Sequence, residues 1–209
     1  VITHNSMDPF NRLILDHSNM LKGAFTINKV HSELLKTNQI ECPVNIYRNY
    51  VCDTNHMDID KFNTRYYFHH RVVFIGRLSK EKNVNLLLES IRAINKVQTI
   101  YLDIIGDGGD INIDKDLDNI VTHHGKLSLV EIRHILYQSD YLILPSYTEG
   151  IPFTVLESMM YGIPCIYSNI NGATDIIANN QTGFLFTLQG YEKSKHVIDN
   201  FNHVFESVD

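Results

Sequence analysis

The stretch Leu142-Ile-Leu-Pro-Ser-Tyr-Thr-Glu-Gly-Ile-Pro-Phe-Thr-Val-Leu-Glu157 decides the fold. Its apolar start predicts a buried strand, and Gly150 and Pro152 interrupt the pattern, so that a loop and then a helix follow. Open α/β sheets bind ligands at the carboxyl ends of their strands, where this loop lies. The N–H groups and the positive dipole end of the helix face the same crevice. We therefore expect a ligand site around the loop.

Two carboxylates flank this loop: Glu149 lies within it, and Glu157 lies in the first helical turn or just beyond. Carboxylates accept hydrogen bonds from sugar hydroxyls, whereas free backbone N–H groups bind phosphate. A site that offers both suits a sugar nucleotide. The alternative is structural, because Thr154 and Glu157 have the spacing of a capping box and Glu149 is then an exposed loop acid. The stretch alone leaves both interpretations open.

Strand and helix patterns alternate on both sides of this stretch. Apolar runs that predict strands lie at 1–3, 24–27, 43–47, 72–76, 99–105, 120–123, 141–144, 163–167 and 183–186, and helical patterns lie at 29–35, 84–96, 128–138 and between the central loop and Gly162. Asn83 and a Ser128–Glu131 capping box predict two of the helix starts. This alternation, with short connections, predicts a Rossmann-like, doubly wound parallel sheet with helices on both faces.

The loop after the strand at 72–76 carries three cations within Gly76-Arg77-Leu-Ser-Lys80-Glu-Lys82. A basic loop at the carboxyl end of a strand reaches the same crevice as the central loop. Arg77 offers a planar fork to phosphate oxygens, and Lys82 offers a compact charge. The structural alternative is that Lys80 and Lys82 pair with Glu81 and solvent, and we prefer that alternative for Lys80.

Two further motifs carry weaker signals. Gly106-Asp-Gly-Gly109 lacks the G-x-G-x-x-G spacing of dinucleotide-binding proteins, and it fits either a close backbone approach to a ligand or a plain tight turn. The pairs Asp58-Ile-Asp60 and Asp114-Lys-Asp116 have the Asp-x-Asp form of some metal sites. Both lie in polar segments without a further ligand cluster, so we predict no metal site.

Composition excludes several classes of protein. A formal charge of −6 over 209 residues argues against a nucleic-acid binder, and 44% hydrophobic residues permit a sizeable core. Cys42, Cys52 and Cys165 lack metal-ligand spacing and indicate a reduced, cytoplasmic setting. No apolar run reaches the roughly 18 residues of a membrane span, and no signal-peptide pattern is present. Because the sequence opens without Met on a predicted strand, we expect further residues upstream of Val1.

In order and spacing, these motifs resemble the C-terminal domain of retaining glycosyltransferases of family 4, across residues 70–186. The resemblance rests on Gly76-Arg77 with Lys82, Ile105-Gly-Asp-Gly108, Gly125, Leu144-Pro-Ser-Tyr-Thr-Glu149-Gly with Glu157, Gly162-Ile-Pro164, Asn171-Gly172 with Asp175-Ile-Ile177, and Thr182-Gly-Phe-Leu185. It implies the GT-B architecture, in which two Rossmann-like domains face a cleft. We then expect a partial N-terminal, acceptor-side domain over 1–52, a connector over 53–69, a nucleotide-sugar-binding domain over 70–190 and an amphipathic helix over 191–209.

The resemblance also implies a role for each site residue. Arg77 and Lys82 would hold the donor diphosphate and stabilise the leaving group, and Glu149 would contact hydroxyls of the transferred sugar. Glu157 would accept hydrogen bonds from the ribose hydroxyls, and His4 would lie near the donor sugar. The other donor-binding positions are Gly76, Gly108, Lys126, Gly150, Ile151, Pro152, Phe153 and Thr154. Pro152 departs from the family pattern, which commonly has glycine at this position.

The resemblance therefore implies a retaining glycosyltransferase that moves a sugar from a nucleotide donor, expected to be a UDP-sugar, to a glycan or lipid-linked acceptor in polysaccharide biosynthesis. No metal cofactor and no nucleic-acid partner are expected. The cytoplasm is the expected compartment, with peripheral association at the inner face of a membrane. Two alternatives stay open, namely a nucleotide-sugar-binding module without catalysis and a sugar-nucleotide epimerase.

Overall fold

A computed structural model of the chain describes residues 2–3, 23–26, 29–37, 42–46, 70–109, 111–170 and 172–188. The described residues form two parallel sheets, one of three strands and one of six. The smaller sheet has the order β1 (Ile2–Thr3), β2 (Ala24–Thr26) and β3 (Val44–Ile46), and α1 (Lys29–Thr37) lies between β2 and β3 in sequence. This βαβ arrangement is the unit from which Rossmann-like sheets are built.

The larger sheet contains the residues of the predicted site. Its strands are β4 (His70–Ile75), β5 (Ile100–Ile105), β6 (Val121–Gly125), β7 (Tyr141–Leu144), β8 (Cys165–Ser168) and β9 (Gly183–Phe186). Its helices are α2 (Val84–Ile94), α3 (Leu129–Gln138) and α4 (Phe153–Met160). All six strands run parallel, as predicted, in the order β6-β5-β4-β7-β8-β9.

The strand order reverses between β4 and β7. The chain runs outward from β4 to β6, and then returns to the other side of β4 as β7. Val72 and Val73 of β4 pair with Tyr141 and Leu142 of β7. Ligands of open α/β sheets bind at such a reversal, in the crevice outside the carboxyl ends of the two strands. The crevice lies between the loop after β4 and the loop after β7, which are the two loops that the sequence singled out.

The core lies on both faces of the larger sheet. Every residue of β7 and β8 is buried, which explains why their apolar runs do not alternate with polar residues. Leu87, Ile91 and Ile94 line the buried face of α2, as their spacing predicted. Burying a side chain of this size contributes about 1.5–3 kcal/mol. The large sheet is therefore a rigid support for the loops at its carboxyl edge.

The smaller sheet contacts the larger unit through the start of α1. The backbone N–H of Lys29 donates a hydrogen bond to the Asp175 carboxylate at 3.0 Å, and the Asp175 side chain is only 8% exposed. Asp175 ends a short 3-10 helix, Ala173–Asp175, which follows β8. A carboxylate from one unit therefore satisfies an N–H group that the first turn of a helix in the other unit leaves free.

Two predicted helix caps differ in the structure. Asn83 stands before α2, but its side chain makes no capping bond, because its backbone is left-handed with φ 60. Thr154 is not an N-cap, because α4 already begins at Phe153 with Pro152 as its N-cap. The capping-box interpretation of Thr154 and Glu157 is therefore wrong. In contrast, the Ser128–Glu131 capping box is present at the start of α3.

Several predictions fall on residues outside the described ranges. They concern His4, Asp58, Asp60, the connector over 53–69 and the helix over 191–209. The proposed domain boundaries likewise stay predictions.

Cys42 and Cys165 are free and buried, and burial raises the pKa of Cys165 to about 12, so its thiol is not ionised at neutral pH. Among the described residues, no helix is long and apolar enough to cross a membrane.

Candidate active site

The loops after β4 and β7 are tied to each other by a backbone hydrogen bond. The N–H of Tyr147 donates to the carbonyl of Glu81 at 2.8 Å. Glu81 lies in a one-turn 3-10 helix, Lys80–Lys82, which ends at the left-handed Asn83. This turn brings Lys82 towards the β7 loop, although the two loops are far apart in sequence. The strand order of the sheet therefore brings the predicted phosphate-binding and sugar-binding segments together.

Lys82 and Glu149 form an ion pair in the crevice between these loops. Their side chains are 16% and 11% exposed, so both charged groups are largely removed from water. Ser146 Oγ donates a second hydrogen bond to the same carboxylate oxygen, Glu149 Oε1, at 2.8 Å. The backbone carbonyl of Ser146 in turn accepts a hydrogen bond from Ser168 Oγ at 2.6 Å. The carboxylate is thus held by one group from the β4 loop and one from the β7 loop, and Ser168 of β8 in turn holds Ser146, an arrangement that limits the motion of the carboxylate.

The other two cations of the β4 loop lie nearer to solvent. The Arg77 side chain is 74% exposed, and its guanidinium nitrogen Nη2 lies 3.5 Å from Glu81 Oε1. Lys80 is exposed. The structural alternative in which Lys82 pairs with Glu81 is wrong, because Lys82 pairs with Glu149 and the partner of Glu81 is Arg77. An exposed pair of this kind is weak, so Arg77 can leave Glu81 at little cost when an anion binds.

The start of α4 supplies backbone donors at the same edge. Pro152 occupies the N-cap with φ −71 and ψ 129, and its carbonyl accepts the first helical bond, from the N–H of Leu156 at 3.5 Å. The N–H groups of Phe153, Thr154 and the next residue have no acceptor within the helix. Proline suits this cap because its missing N–H is not needed there. Pro152 therefore leaves these N–H groups of the helix start available to an anion.

Glu157 lies in α4 and is half-buried. Burial raises the pKa of Glu157, and the nearby positive charge of Arg133 partly opposes this rise. A carboxylate that is short of hydrogen-bond donors gains most from a ligand that provides them. Ribose hydroxyls are donors of this kind. This environment is compatible with the predicted role of Glu157.

The glycine turn after β5 packs against the β4 loop through Gly106 and Gly109. A Cβ on Gly106, which has φ +145, would lie 1.8 Å from the carbonyl oxygen of Gly76, and a Cβ on Gly109 would lie 2.0 Å from that of Leu78. Gly108 has φ +99 with no atom near its missing Cβ. Gly108 and Lys126 are exposed on the loops after β5 and β6. Gly106 and Gly109 therefore permit the close approach of the two loops, and the role of Gly108 at the donor stays a prediction.

The described residues contain no cluster of three or more potential metal ligands. Asp114 and Asp116, which have the Asp-x-Asp form, both accept hydrogen bonds from Arg92 of α2. Their shared partner ties the loop between β5 and β6 to the helix. The pairing with Arg92 therefore gives both carboxylates a structural role.

Sequence reasoning missed Ser146 and Arg133. Ser146 lies within the central stretch, three residues before Glu149, and a hydroxyl at that spacing in a tight loop is a possible signal. Arg133 is in α3, and nothing in the sequence connects it with Glu157. Of the predicted residues, the structure brings Lys82 and Glu149 into contact, and α4 begins at Phe153, shortly after Glu149 in the same loop.

The chain is similar in sequence to known glycosyltransferases. A family model described as Glycosyl transferases group 1 matches residues 61–203. The UDP-Gal:alpha-D-GlcNAc-diphosphoundecaprenol alpha-1,3-galactosyltransferase of Escherichia coli is 34% identical over 122 residues, which cover 54% of this chain and 32% of that protein. The amylovoran biosynthesis glycosyltransferase AmsK of Erwinia amylovora is 28% identical over 128 residues, covering 55% of this chain and 31% of its own length.

Solved structures share the fold at low sequence identity. Anabaena HepE in complex with UDP has a TM-score of 0.75 and 17% identity, with coverage of 100% of this chain and 62% of HepE. A mutant of Staphylococcus aureus TarM, in complex with Fondaparinux, alpha-GlcNAc-glycerol and UDP, has a TM-score of 0.75 and 17% identity, with coverage of 96% and 43%. The similarity to these two structures supports the GT-B form of the Rossmann-like sheet. The chain matches about a third of the length of the curated relatives named above, and it belongs to the family of group 1 glycosyl transferases.

Proposed function

We propose that this chain carries the donor site of a retaining glycosyltransferase that uses a nucleotide sugar, with UDP as the nucleotide. The observation that carries the proposal is the Lys82–Glu149 ion pair, which lies in the crevice beside the open start of α4. A sugar diphosphate needs cations and N–H donors at its phosphates and acceptors at its hydroxyls. This crevice offers all three. The UDP named in the HepE and TarM structures supports the choice of nucleotide.

In this proposal, Lys82 and Arg77 bind the diphosphate together with the N–H groups at the start of α4. Breaking the bond between the sugar and the phosphate leaves additional negative charge on the diphosphate. Fixed cations and helix N–H groups stabilise that charge more strongly than they stabilise the ground state, and each lost donor of this kind costs about 3–4 kcal/mol. Because side chains supply the positive charge, we propose that transfer needs no divalent ion.

The two carboxylates position the donor. Glu149 accepts hydrogen bonds from hydroxyls of the transferred sugar, and Glu157 accepts them from the ribose. We do not assign the nucleophile and acid of a retaining glycosidase to this pair, because in this proposal both carboxylates accept hydrogen bonds from hydroxyls of the donor. Retention then follows from attack of the acceptor on the face from which the diphosphate leaves.

For the acceptor, we propose a glycan or a lipid-linked sugar in polysaccharide assembly. The functions of the Escherichia coli and Erwinia amylovora relatives support this class. A lipid-linked acceptor would place the enzyme at the inner face of a membrane, in peripheral association. His4 is proposed to lie near the donor sugar.

The test is a panel of UDP- and GDP-sugars, scored by nucleotide release and by calorimetry on the same sample, with and without EDTA. Lys82→Ala and Glu157→Ala should each reduce turnover about 100-fold or more. Lys80→Ala removes an exposed cation from the same turn and is the matched control, with turnover near that of the wild type.

Normal transfer by both Lys82→Ala and Glu157→Ala would overturn the site. Nucleotide binding without transfer to any acceptor would favour the binding module. Isomerised donor without an acceptor would favour an epimerase.

A further inference from the structure

The Tyr167 hydroxyl is a buried polar group without an evident structural purpose. The side chain lies in β8 and is fully buried, and no described residue is a hydrogen-bond partner of its hydroxyl. Buried hydroxyls are normally paired, because a lone one loses its hydrogen bonds to water without replacement. An unpaired buried hydroxyl beside a crevice therefore calls for a functional explanation.

Tyr167 lies beneath the loop that carries Glu149. It pairs in register with Leu144, the last residue of β7, from which that loop departs. The next residue, Ser168, donates hydrogen bonds to the carbonyls of Leu144 and Ser146. Two residues earlier, on the same face of the strand, Cys165 contacts Ser158 of α4, so the Tyr167 side chain lies on the sheet face that α4 covers.

The electrostatics agree with this placement. Burial raises the pKa of Tyr167, and the negative charge of Glu149 raises it further. The phenol therefore stays protonated at neutral pH and keeps its proton available for donation. Among the charged neighbours of the phenol, Glu149 has the largest influence on this pKa.

The proposed function creates a need for such a donor. Lys82 is the ion-pair partner of Glu149 in the structure, yet it is also the cation proposed for the diphosphate. When Lys82 turns to the phosphates, the bond from Ser146 is the one hydrogen bond that the largely buried carboxylate keeps within the described part of the chain. A buried carboxylate that loses its counter-charge is costly unless another donor replaces it.

We propose that Tyr167 is a positioning residue whose hydroxyl donates to Glu149 when a donor diphosphate draws Lys82 away. This inference rests on the proposed function of the Lys82–Glu149 pair. The phenol keeps the carboxylate in place so that it can accept hydrogen bonds from the sugar. No proton is transferred, since the phenol only gains a hydrogen-bond partner.

Tyr167→Phe is the direct test, because it removes one oxygen and keeps the ring. The affinity for UDP and for GDP is measured by calorimetry, and the stability of the unliganded chain by urea unfolding. We expect the affinity for the preferred nucleotide to fall about tenfold, the effect of one hydrogen bond to a charged group. The unliganded Tyr167→Phe chain should be at least as stable as the wild type, because the lost hydroxyl has no partner there.

Two further variants separate positioning from a merely structural role. Tyr141→Phe removes a hydroxyl from a buried tyrosine at the opposite end of β7 and should leave nucleotide affinity unchanged. In a Glu149→Gln background, Tyr167→Phe should have little further effect, because no carboxylate charge remains to be held.

The outcomes are distinct. If the wild type binds nucleotide and Tyr167→Phe binds it equally well, the inference is overturned while the proposed function stands. The same holds if Tyr167→Phe clearly destabilises the unliganded chain, or if its effect persists in the Glu149→Gln background. A wild type that binds neither UDP nor GDP overturns the proposed function and this inference with it.

Discussion

Glu157 is a carboxylate in a place where its charge is costly. Burial raises the pKa of Glu157 more than the positive charge of Arg133 lowers it. Evolution commonly retains such a group where a ligand provides the missing hydrogen bonds, at some cost to stability. The residue that sequence reasoning assigned to the ribose is therefore also one that the unliganded fold holds unfavourably.

This cost predicts how Glu157→Gln changes stability with pH. The pKa of Glu157 is higher in the folded chain than in the unfolded chain. The stability that Glu157 contributes is therefore present at low pH and is lost as the pH rises through its folded pKa. Glu157→Gln avoids that loss, and we expect it to raise the free energy of unfolding at pH 7. The gain should be only roughly 0.5 kcal/mol, because solvent screens a half-buried group. Urea unfolding at several pH values measures it.

Glu131 serves as the control, because its pKa is shifted in the opposite direction to that of Glu157. Hydrogen bonds from Ser128 lower the pKa of this exposed carboxylate, so its contribution is present above the unfolded pKa and is lost as the pH falls. Glu131→Gln should therefore be less stable than the wild type at pH 7, and the difference should disappear in acid. A Glu157→Gln chain that behaves in the same way as Glu131→Gln would contradict our assignment of an unfavourable charge.

At the scale of elements, the turn after β5 determines the shape of the β4 loop. The N–H of Gly76 donates to the carbonyl of Ile105 at 3.0 Å, and the N–H of Leu78 donates to that of Asp107 at 2.8 Å. This pairing continues the β4–β5 ladder past the ends of both strands. It directs the chain into the turn that carries Lys82.

Gly106→Ala should therefore be far more damaging than Gly108→Ala. Both glycines have positive φ, but only at Gly106 does an added Cβ meet backbone, 1.8 Å from the Gly76 carbonyl oxygen. We expect Gly108→Ala to cost about 1–2 kcal/mol of unfolding free energy from the backbone alone. Gly106→Ala should cost about 3 kcal/mol or more and should also weaken nucleotide binding, because the β4 loop has to move. If urea unfolding gave the same loss of unfolding free energy for Gly106→Ala and Gly108→Ala, the close contact of Gly106 with Gly76 would not be important for the two loops.

Strands and helices could be predicted from the sequence wherever local signals agree with one another. The start of α3 follows from the Ser128–Glu131 box, and β7 and β9 follow from uninterrupted apolar runs. The capping-box spacing of Thr154 and Glu157 led to a wrong prediction. The extended backbone of Pro152 makes this residue the N-cap, so the helix begins before Thr154.

The contacts of the site were less accessible to sequence reasoning. Lys82 and Glu149 were both identified as site residues, but they are 67 positions apart, and their pairing depends on β4 and β7 being neighbours in the sheet. Long-range electrostatic partners of this kind follow from topology rather than from local pattern. The same reason hid the influence of Arg133 on Glu157 and that of Glu149 on Tyr167.

At the scale of the whole molecule, Asp175 connects the unit of the six-stranded sheet to the unit of the three-stranded sheet by capping α1. The acceptor carboxylate comes from the unit of the six-stranded sheet, and the N–H donor, Lys29, comes from the unit of the three-stranded sheet. The Lys29 ammonium lies 4.0 Å from the same carboxylate, but its side chain is exposed and adds little. The stability of α1 is therefore coupled to the segment that follows β8.

Asp175→Ala should loosen the smaller unit and leave the larger sheet intact. Losing a capping carboxylate costs a helix about 1–2 kcal/mol, and the loss should act on α1, since Asp175 is provided by the other unit. Hydrogen exchange followed by mass spectrometry should show faster exchange over 29–37, with exchange over 141–144 and 165–168 unchanged. Asp118→Ala, which removes an exposed carboxylate beside another 3-10 helix, should alter neither region. Faster exchange throughout the chain after Asp175→Ala would show instead that the carboxylate supports the core of the larger sheet.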